Sequence, residues 1–381
     1  MSGSVHAYDI HGIITVHSEA ALPELEKFRT SARLDHATIR VRLGAVKSQN
    51  GSADQANRVR YRESLGSAGF AVDIAFADDG VDVIAAPLLR FSPHVLYTNI
   101  VEPILRWSFV ERGYVLVHGA CLAHGDDAFL ITARTDTGKT TTMLRILDTQ
   151  PAWSFLSDDL TLLSPEGRVL TYPKPLTISR HTLVAVKTPL LSRRERFGLF
   201  FQSRLHSKSG RWFGLFLTKT RLPMASTNAL IQFLVPPPKY HVERLVPGVK
   251  LAREGRLAGL IVIDRHGEGQ ETLNDEQALE TLLSNCEDAY GFPPYATIKD
   301  VLYTRSGRDL RTIERETVAR ALSGRPATLL RSSTRDWWRQ LPAFVNSNRT
   351  PDTSITVKVP LDTMPAVAHL ETAEPAAMNA D

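Results

Sequence analysis

The sequence predicts an α/β protein whose mixed-sheet core carries a phosphate-binding loop, preceded by a smaller N-terminal α/β unit. Three observations predict it. The run Phe129-Leu130-Ile131-Thr132-Ala133 is a short apolar strand that enters a loop ending Gly138-Lys139-Thr140, and a helix start follows. Trp153-Ser154-Phe155-Leu156-Ser157 is a second buried strand, and it stops at Asp158-Asp159. Ahead of both, β-rich runs at 8–16, 37–42, 70–76 and 81–85 alternate with turn-forming residues.

The elements follow in order. Tyr8–Val16 and Ala37–Arg42 are β-rich, and Ala20–Arg29 between them reads as a helix. Residues 46–66 are rich in Ser, Gly, Asn and Arg and read as a loop. Phe70–Phe76 and Val81–Ala85 resume the strand pattern about Asp78-Asp79-Gly80, a hairpin signal. A helix near Ile100–Arg112 leads into the core. After the core, Pro236-Pro237-Pro238 breaks the pattern, Leu257–Ile263 is a buried strand, and Asp275–Leu283 is a helix capped by Asn274. The boundaries expected are an N-terminal domain over 1–95, a nucleotide-binding domain over 96–345, and a disordered tail over 346–381, rich in Thr, Pro and Ala.

The loop carries the chemistry. Backbone N–H groups at a helix N-terminus face phosphates, so Thr135, Asp136, Thr137, Gly138, Lys139, Thr140 and Thr141 form the expected nucleotide contact. Lys139 is a point charge for the terminal phosphates, and the Thr140 hydroxyl is a magnesium ligand. Thr141 contributes only if its hydroxyl reaches the α-phosphate. Asp158 and Asp159 divide magnesium binding and proton handling between them, and spacing alone does not say which does which. The expected cofactors are ATP and Mg2+.

The series His118-Gly119-Ala120, an apolar strand, Gly138-Lys139-Thr140-Thr141, then Leu156-Ser157-Asp158-Asp159 resembles the core of the HPr kinase and ATP-dependent phosphoenolpyruvate carboxykinase group. The segments Val101–Arg106, Arg112–His118 and Tyr172-Pro173-Lys174-Pro175-Leu176 resemble the smaller HPr-kinase-like proteins. The likeness covers residues 100–180 and, more weakly, 255–285. It implies a mixed-sheet P-loop nucleotide-binding core of the HPr kinase and phosphoenolpyruvate carboxykinase type. It further implies that one aspartate accepts the proton of an attacking hydroxyl, and that His118 supports the acidic pair. By periodicity alone, His118 shares an apolar strand face with Leu116, Ala120 and Leu122, the setting of a core histidine. Lys174 and Arg180 read either as substrate contacts or as solvated loop cations, and His124 as structural.

The loop departs from that group's pattern. Thr135-Asp136 stands where Ser-Gly is usual, and Ala133 replaces the opening glycine of the general P-loop pattern. Asp tolerates the left-handed turn that glycine permits, but it brings a charge. That charge points outward, helps hold the metal, or marks a site that no longer turns over.

Composition excludes several classes. The 381 residues are 43% hydrophobic, enough for two cored domains, and no apolar run is long enough to span a bilayer as a helix. The N-terminus lacks a signal-peptide pattern, and two cysteines, Cys121 and Cys286, make no disulfide framework, so a cytoplasmic protein is expected. Charge is uneven. Between Lys187 and Arg221 stand nine Lys or Arg and one acid, Glu195, so this segment holds +8 and the remainder −4 of the net +4. Phe197-Gly198-Leu199-Phe200-Phe201 and Trp212-Phe213-Gly214-Leu215-Phe216-Leu217 interrupt the charges. The pattern suits peripheral contact with an anionic membrane or a phosphorylated substrate, an inserted helical pair with its aromatics in the core, or, less well, nucleic acid.

The function expected is transfer of the ATP γ-phosphoryl group to a hydroxyl on a protein, small molecule or membrane-proximal acceptor. The competing readings are a degenerate ATP-binding sensor or scaffold acting through its basic surface, and a nucleic-acid-binding protein. Self-association into a homo-oligomer is compatible with all three.

Overall fold

The computed structural model of the protein describes residues 5–32, 36–46, 58–65, 68–178, 239–289 and 308–348, with 182, 295 and 302. The basic segment 187–221, Arg180, the Pro236–Pro238 break and residues 349–381 of the expected tail lie outside the described residues, whereas 346–348, expected to be disordered, close a helix that ends at Asn348.

The N-terminal sheet has seven strands. They are β1 (His6–Ile10), β2 (Ile14–Ser18), β3 (Arg29–Thr30), β4 (Ile39–Leu43), β5 (Arg58–Leu65), β6 (Ala68–Ala77) and β7 (Gly80–Ala85), in the order β3-β1-β2-β4-β7-β6-β5. One sequence expectation is refined and two are corrected here. The β-rich run over 8–16 is a hairpin, because His11 and Gly12 both take positive φ, 58° and 69°, and fold β2 back antiparallel on β1. The helix expected over 20–29 is a 3-10 turn, Pro23–Phe28, cut short when Arg29 and Thr30 pair with β1. Part of the polar loop expected over 46–66 is β5, which runs antiparallel to β6 along Arg58–Leu65. Its Arg58 and Arg60 pair with Asp73 across the ladder at 2.6 and 3.1 Å, so cross-strand charge complementarity selects the strand where apolar alternation is weak. The Asp78-Asp79-Gly80 hairpin forms as expected, with Ala77 opposite Gly80.

A five-residue π turn, Tyr97–Val101, leads into helix α1 (Glu102–Glu111), whose residues Glu102–Val110 are all buried. It joins the two sheets. Tyr8 and Ile14 of the first sheet, Trp107 and Phe109 of α1, and Leu162 and Leu282 of the second half share one apolar cluster.

The second sheet has ten strands of mixed direction. They are β8 (Val115–His118), β9 (Ala120–His124), β10 (Asp127–Thr132), β11 (Trp153–Ser157), β12 (Leu160–Leu163), β13 (Arg168–Leu170), β16 (Lys250–Leu251), β17 (Glu254–Asp264), β18 (Gly269–Leu273) and β19 (Ala327–Arg331). A separate short pair joins β14 (Leu176–Thr177) to β15 (Lys239–Tyr240). The main path runs β16-β11-β9-β10-β17-β13-β12-β8, with β19 beside β17 and β18 on β19. Four longer helices, α2 (Lys139–Thr149), α3 (Asp275–Ala289), α4 (Leu310–Leu322) and α5 (Trp337–Asn348), and a single helical turn, Val242–Leu245, pack on this sheet among the described residues. The α3 start carries the expected cap as a reciprocal box, Gln277 N–H donating to Asn274 Oδ1 at 2.9 Å and Asn274 N–H to Gln277 Oε1 at 3.0 Å.

Strand direction places the candidate chemistry. β10 is parallel to β17, β17 to β19, and β11 reaches the same orientation through two antiparallel steps across β9. The carboxyl ends of β10, β11, β17 and β19 therefore share one sheet edge, where ligands of α/β proteins bind. The Gly138-Lys139-Thr140 loop follows β10, and Asp158-Asp159 follows β11.

Candidate functional site

The loop between β10 and α2 turns without an opening glycine. Asp136 takes φ 63° and is exposed, so the left-handed turn survives with its carboxylate at the surface. Gly138, at φ 129°, is the residue before α2. Thr135 is exposed beside Asp136, Thr137 is buried, and Thr141 lies half-buried in the first turn of α2.

Lys139 folds back over the loop. Its ammonium donates to the Ala133 carbonyl at 3.2 Å and lies 2.8 Å from His118 Nε2. An ammonium only donates, so Nε2 is the accepting atom and Nδ1 is the ring nitrogen turned toward the acidic pair. That atom faces Asp159 Oδ1 at 3.3 Å.

His118 does not share a strand face with Ala120 and Leu122, contrary to the periodicity reading. It ends β8, which pairs with β12, whereas Ala120 begins β9, which pairs with β10 and β11. Gly119 makes the step, because a Cβ there would sit 2.9 Å from the Leu130 side chain and 3.0 Å from the Ile131 carbonyl. His118 is buried, and α3 and β10 hold its backbone: its N–H donates to Cys286 Sγ at 3.1 Å and its carbonyl accepts from Thr132 Oγ1 at 2.9 Å. Both cysteines are free and buried, and burial pushes the Cys286 thiol up to about 12.

The two aspartates differ in surroundings. Asp158 is buried, and its Oδ2 accepts from Thr140 Oγ1 at 3.1 Å while its Oδ1 is shielded and has no hydrogen-bond partner. Burial, then the adjacent Asp159 charge, pushes its pKa up to about 6. Asp159 is the open member, with its side chain 45% exposed. Desolvation pulls its pKa upward, but Lys174 first and His118 next outweigh this and hold it well below the ordinary carboxylate range.

Lys174 is the main site residue that sequence reading undervalued. Left open between a substrate contact and a solvated loop cation, it is buried, 2.9 Å from Asp159 Oδ2 and 2.6 Å from Glu102 Oε2, with the Tyr97 ring 5.4 Å from its ammonium. Burial disfavours its charge, yet the two carboxylates raise its pKa above the usual lysine value. Burial likewise pushes Glu102 up, against the attraction of Lys174. The available signal was its setting in Tyr172-Pro173-Lys174-Pro175-Leu176, a lone cation in an otherwise apolar and rigid stretch. His124, expected to be structural, packs edge-on against Trp153 at 5.3 Å.

The residues brought together are thus His118, Lys139, Thr140, Asp158 and Asp159, joined by Lys174 and Glu102. Thr135 and Asp136 stand at the exposed tip of the loop. Among the described residues no group of three or more His, Cys, Asp or Glu side chains is arranged to hold a metal by itself. A magnesium ion that shares its shell with phosphates and water needs only one or two protein ligands, and Thr140 beside the orphaned Asp158 Oδ1 fits that requirement. No helix among the described residues is long and apolar enough to cross a membrane. No family model matches the chain, and no curated protein matches it in sequence.

Proposed function

We propose that this protein is an ATP-dependent phosphotransferase of the HPr-kinase-like type, moving the γ-phosphoryl group of ATP to a hydroxyl. The observation that carries the reading is the convergence, at one sheet edge, of Lys139 and Thr140 from the loop after β10 with Asp158 and Asp159 from the end of β11.

In this reading Lys139 neutralises the terminal phosphates, and the loop N–H groups at the start of α2 orient them. Thr140 and Asp158 hold magnesium, which when bound offsets the charge of the phosphates. Asp159, ionised and open on one side, accepts the acceptor's hydroxyl proton as the new O–P bond forms and the bond to the ADP leaving group breaks. His118 and Lys174 orient that carboxylate and keep it charged. This division follows from the environments, since Asp158 touches Thr140 and Asp159 touches the histidine and the lysine. Positioning and charge neutralisation are most of what phosphoryl transfer asks of a protein. The acceptor is a hydroxyl of a protein or small molecule, or one near a membrane surface reached through the basic segment 187–221.

The test is thermal unfolding with Mg·ATP, for the wild type and Lys139→Ala. Ligand at a hundred times Kd adds about 2.7 kcal/mol of stability, a readable rise in Tm. A magnesium-dependent rise that the variant loses supports the reading. No rise in either protein counts against it, and a rise with no transfer to any hydroxyl acceptor points to a nucleotide sensor.

A further inference from the structure

The loop is flanked on its other side by a segment that the chemistry above does not use. From this, and resting on the phosphotransferase reading, we infer that Asp336–Trp338 and Arg145 form the subsite for the nucleoside end of the nucleotide, with Trp338 the aromatic wall against the base.

The argument starts from sheet order. Asp158 and Asp159 follow β11, two strands to one side of β10, whereas Ser332–Asp336 follows β19, two strands to the other. Because β10, β17 and β19 run parallel, their carboxyl ends open on the same edge. A triphosphate whose γ end faces Asp158 and Asp159 must direct its α end, and the nucleoside, toward the β17 and β19 side.

What stands there is built rather than incidental. Trp337 is fully buried among Met143, Leu144 and Leu147 of α2, and a Cβ on Gly138 would lie 3.4 Å from its ring, so the start of α5 seats directly on the phosphate loop. The next residue, Trp338, is half-buried, with the Arg145 guanidinium 5.5 Å and the Arg339 guanidinium 5.1 Å from its ring. Arg145 projects from α2 and lies 4.0 Å from Asp336. The indole Nε1 atoms of Trp337 and Trp338 are both shielded and without a hydrogen-bond partner. Arg335, just before, takes φ 62°, a conformation that non-glycine residues hold only where the surroundings impose it. An aromatic face with flanking arginines suits a purine, which stacks on the ring while a guanidinium meets the sugar or the α-phosphate.

Comparing Mg·ATP with Mg·tripolyphosphate by titration calorimetry tests this, because tripolyphosphate has the phosphate chain and no nucleoside. The wild type should bind ATP at least about tenfold more tightly, which is about 1.4 kcal/mol. Trp338→Ala should bring ATP down to the tripolyphosphate affinity and leave tripolyphosphate unchanged, and Trp338→Phe should restore most of the preference. A Trp338→Ala protein that keeps the wild-type ratio overturns the inference and leaves the phosphate loop standing. If neither compound binds the wild type, the phosphotransferase reading and this one fall together. Should Trp338→Ala prove unfolded, Trp338→Leu, which keeps apolar bulk without a ring, takes its place, and an unchanged ratio in that variant overturns the subsite.

Discussion

Lys174 Nζ lies 2.9 Å from Asp159 Oδ2 and 2.6 Å from Glu102 Oε2, so one buried ammonium is shared by two carboxylates from different elements. Glu102 opens α1, Asp159 follows β11, and Lys174 sits in the segment before β14. Lys174 ties the acidic pair to the helix that joins the two sheets. The network continues through His118 to Lys139, so a charge removed at one end is felt at the loop.

Lys174→Met should therefore cost about 3–5 kcal/mol of stability, the usual penalty for leaving buried charge uncompensated. Denaturant unfolding measures it. The double variant Lys174→Met, Glu102→Gln should recover part of the loss, because it removes one of the two orphaned carboxylates. A double variant no more stable than the single one would show that Glu102 is not the partner that matters.

Asp158→Asn should act in opposite directions on stability and on ligand response. With its pKa raised to about 6, ionised Asp158 costs the folded protein stability as pH rises from about 4 through 6. The variant lacks that cost and should be more stable at pH 7, by up to about 3 kcal/mol. Its magnesium-dependent response to ATP should be lost, as chelation of magnesium by EDTA should abolish it in the wild type. Equal melting temperatures, together with an intact magnesium response, would remove Asp158 from the metal site.

The acid limb of stability should depend on Glu24. This residue is 1% exposed, accepts from His94 at 2.7 Å and also pairs with Lys239, while its Oε2 has no partner. Burial raises its pKa, but His94 and Lys239 outweigh burial and bring it down to about 2. A carboxylate with a depressed pKa contributes stability that is present above its unfolded pKa and lost as pH falls toward the folded one. The window is from about pH 4.5 to 2, and the contribution is on the order of 3 kcal/mol. Lys239 is itself pushed below the ordinary lysine value, because burial outweighs its pairing, so the pair is favourable at the glutamate and costly at the lysine. Glu24→Gln should flatten the pH dependence of Tm in that window and lower Tm at pH 7, since Lys239 loses its partner. A wild-type slope retained in Glu24→Gln would assign the acid limb elsewhere.

Gly138→Ala should destabilise by about 1–3 kcal/mol, because φ 129° is a conformation that a residue with a Cβ enters only under strain. The ring of Trp337, 3.4 Å from such a Cβ, is near enough to add to the strain only if the loop shifts. Thermal unfolding and the ATP response should fall together. An unchanged Tm would show that the loop reaches this turn without glycine.

Much of the core was legible because its signals are local. An apolar run followed by Gly138-Lys139-Thr140 reports strand, turn and helix within fourteen residues of chain, and Asp158-Asp159 after Trp153–Ser157 does the same. The Asp78-Asp79-Gly80 hairpin and the Asn274 cap are likewise complete in a few residues. The errors fell where a local pattern was overruled by pairing at a distance. Pairing with β1 cut short the helix expected over 20–29, and Asp73 drew the arginines of β5 into a sheet.

By itself the sequence determined an α/β protein, the strand-turn-helix about Gly138-Lys139-Thr140 and the acidic pair that follows the next strand. Only the tertiary structure decided which carboxylate meets Thr140 and which meets His118 and Lys174. It also decided that His118 and Ala120 belong to different strands. Glu102 and Lys174 stand 72 positions apart, and Arg106 and its partner Glu314 stand 208 apart. The physical reason is that a buried charge is defined by the partner that compensates it, and strand order rather than spacing brings that partner within reach.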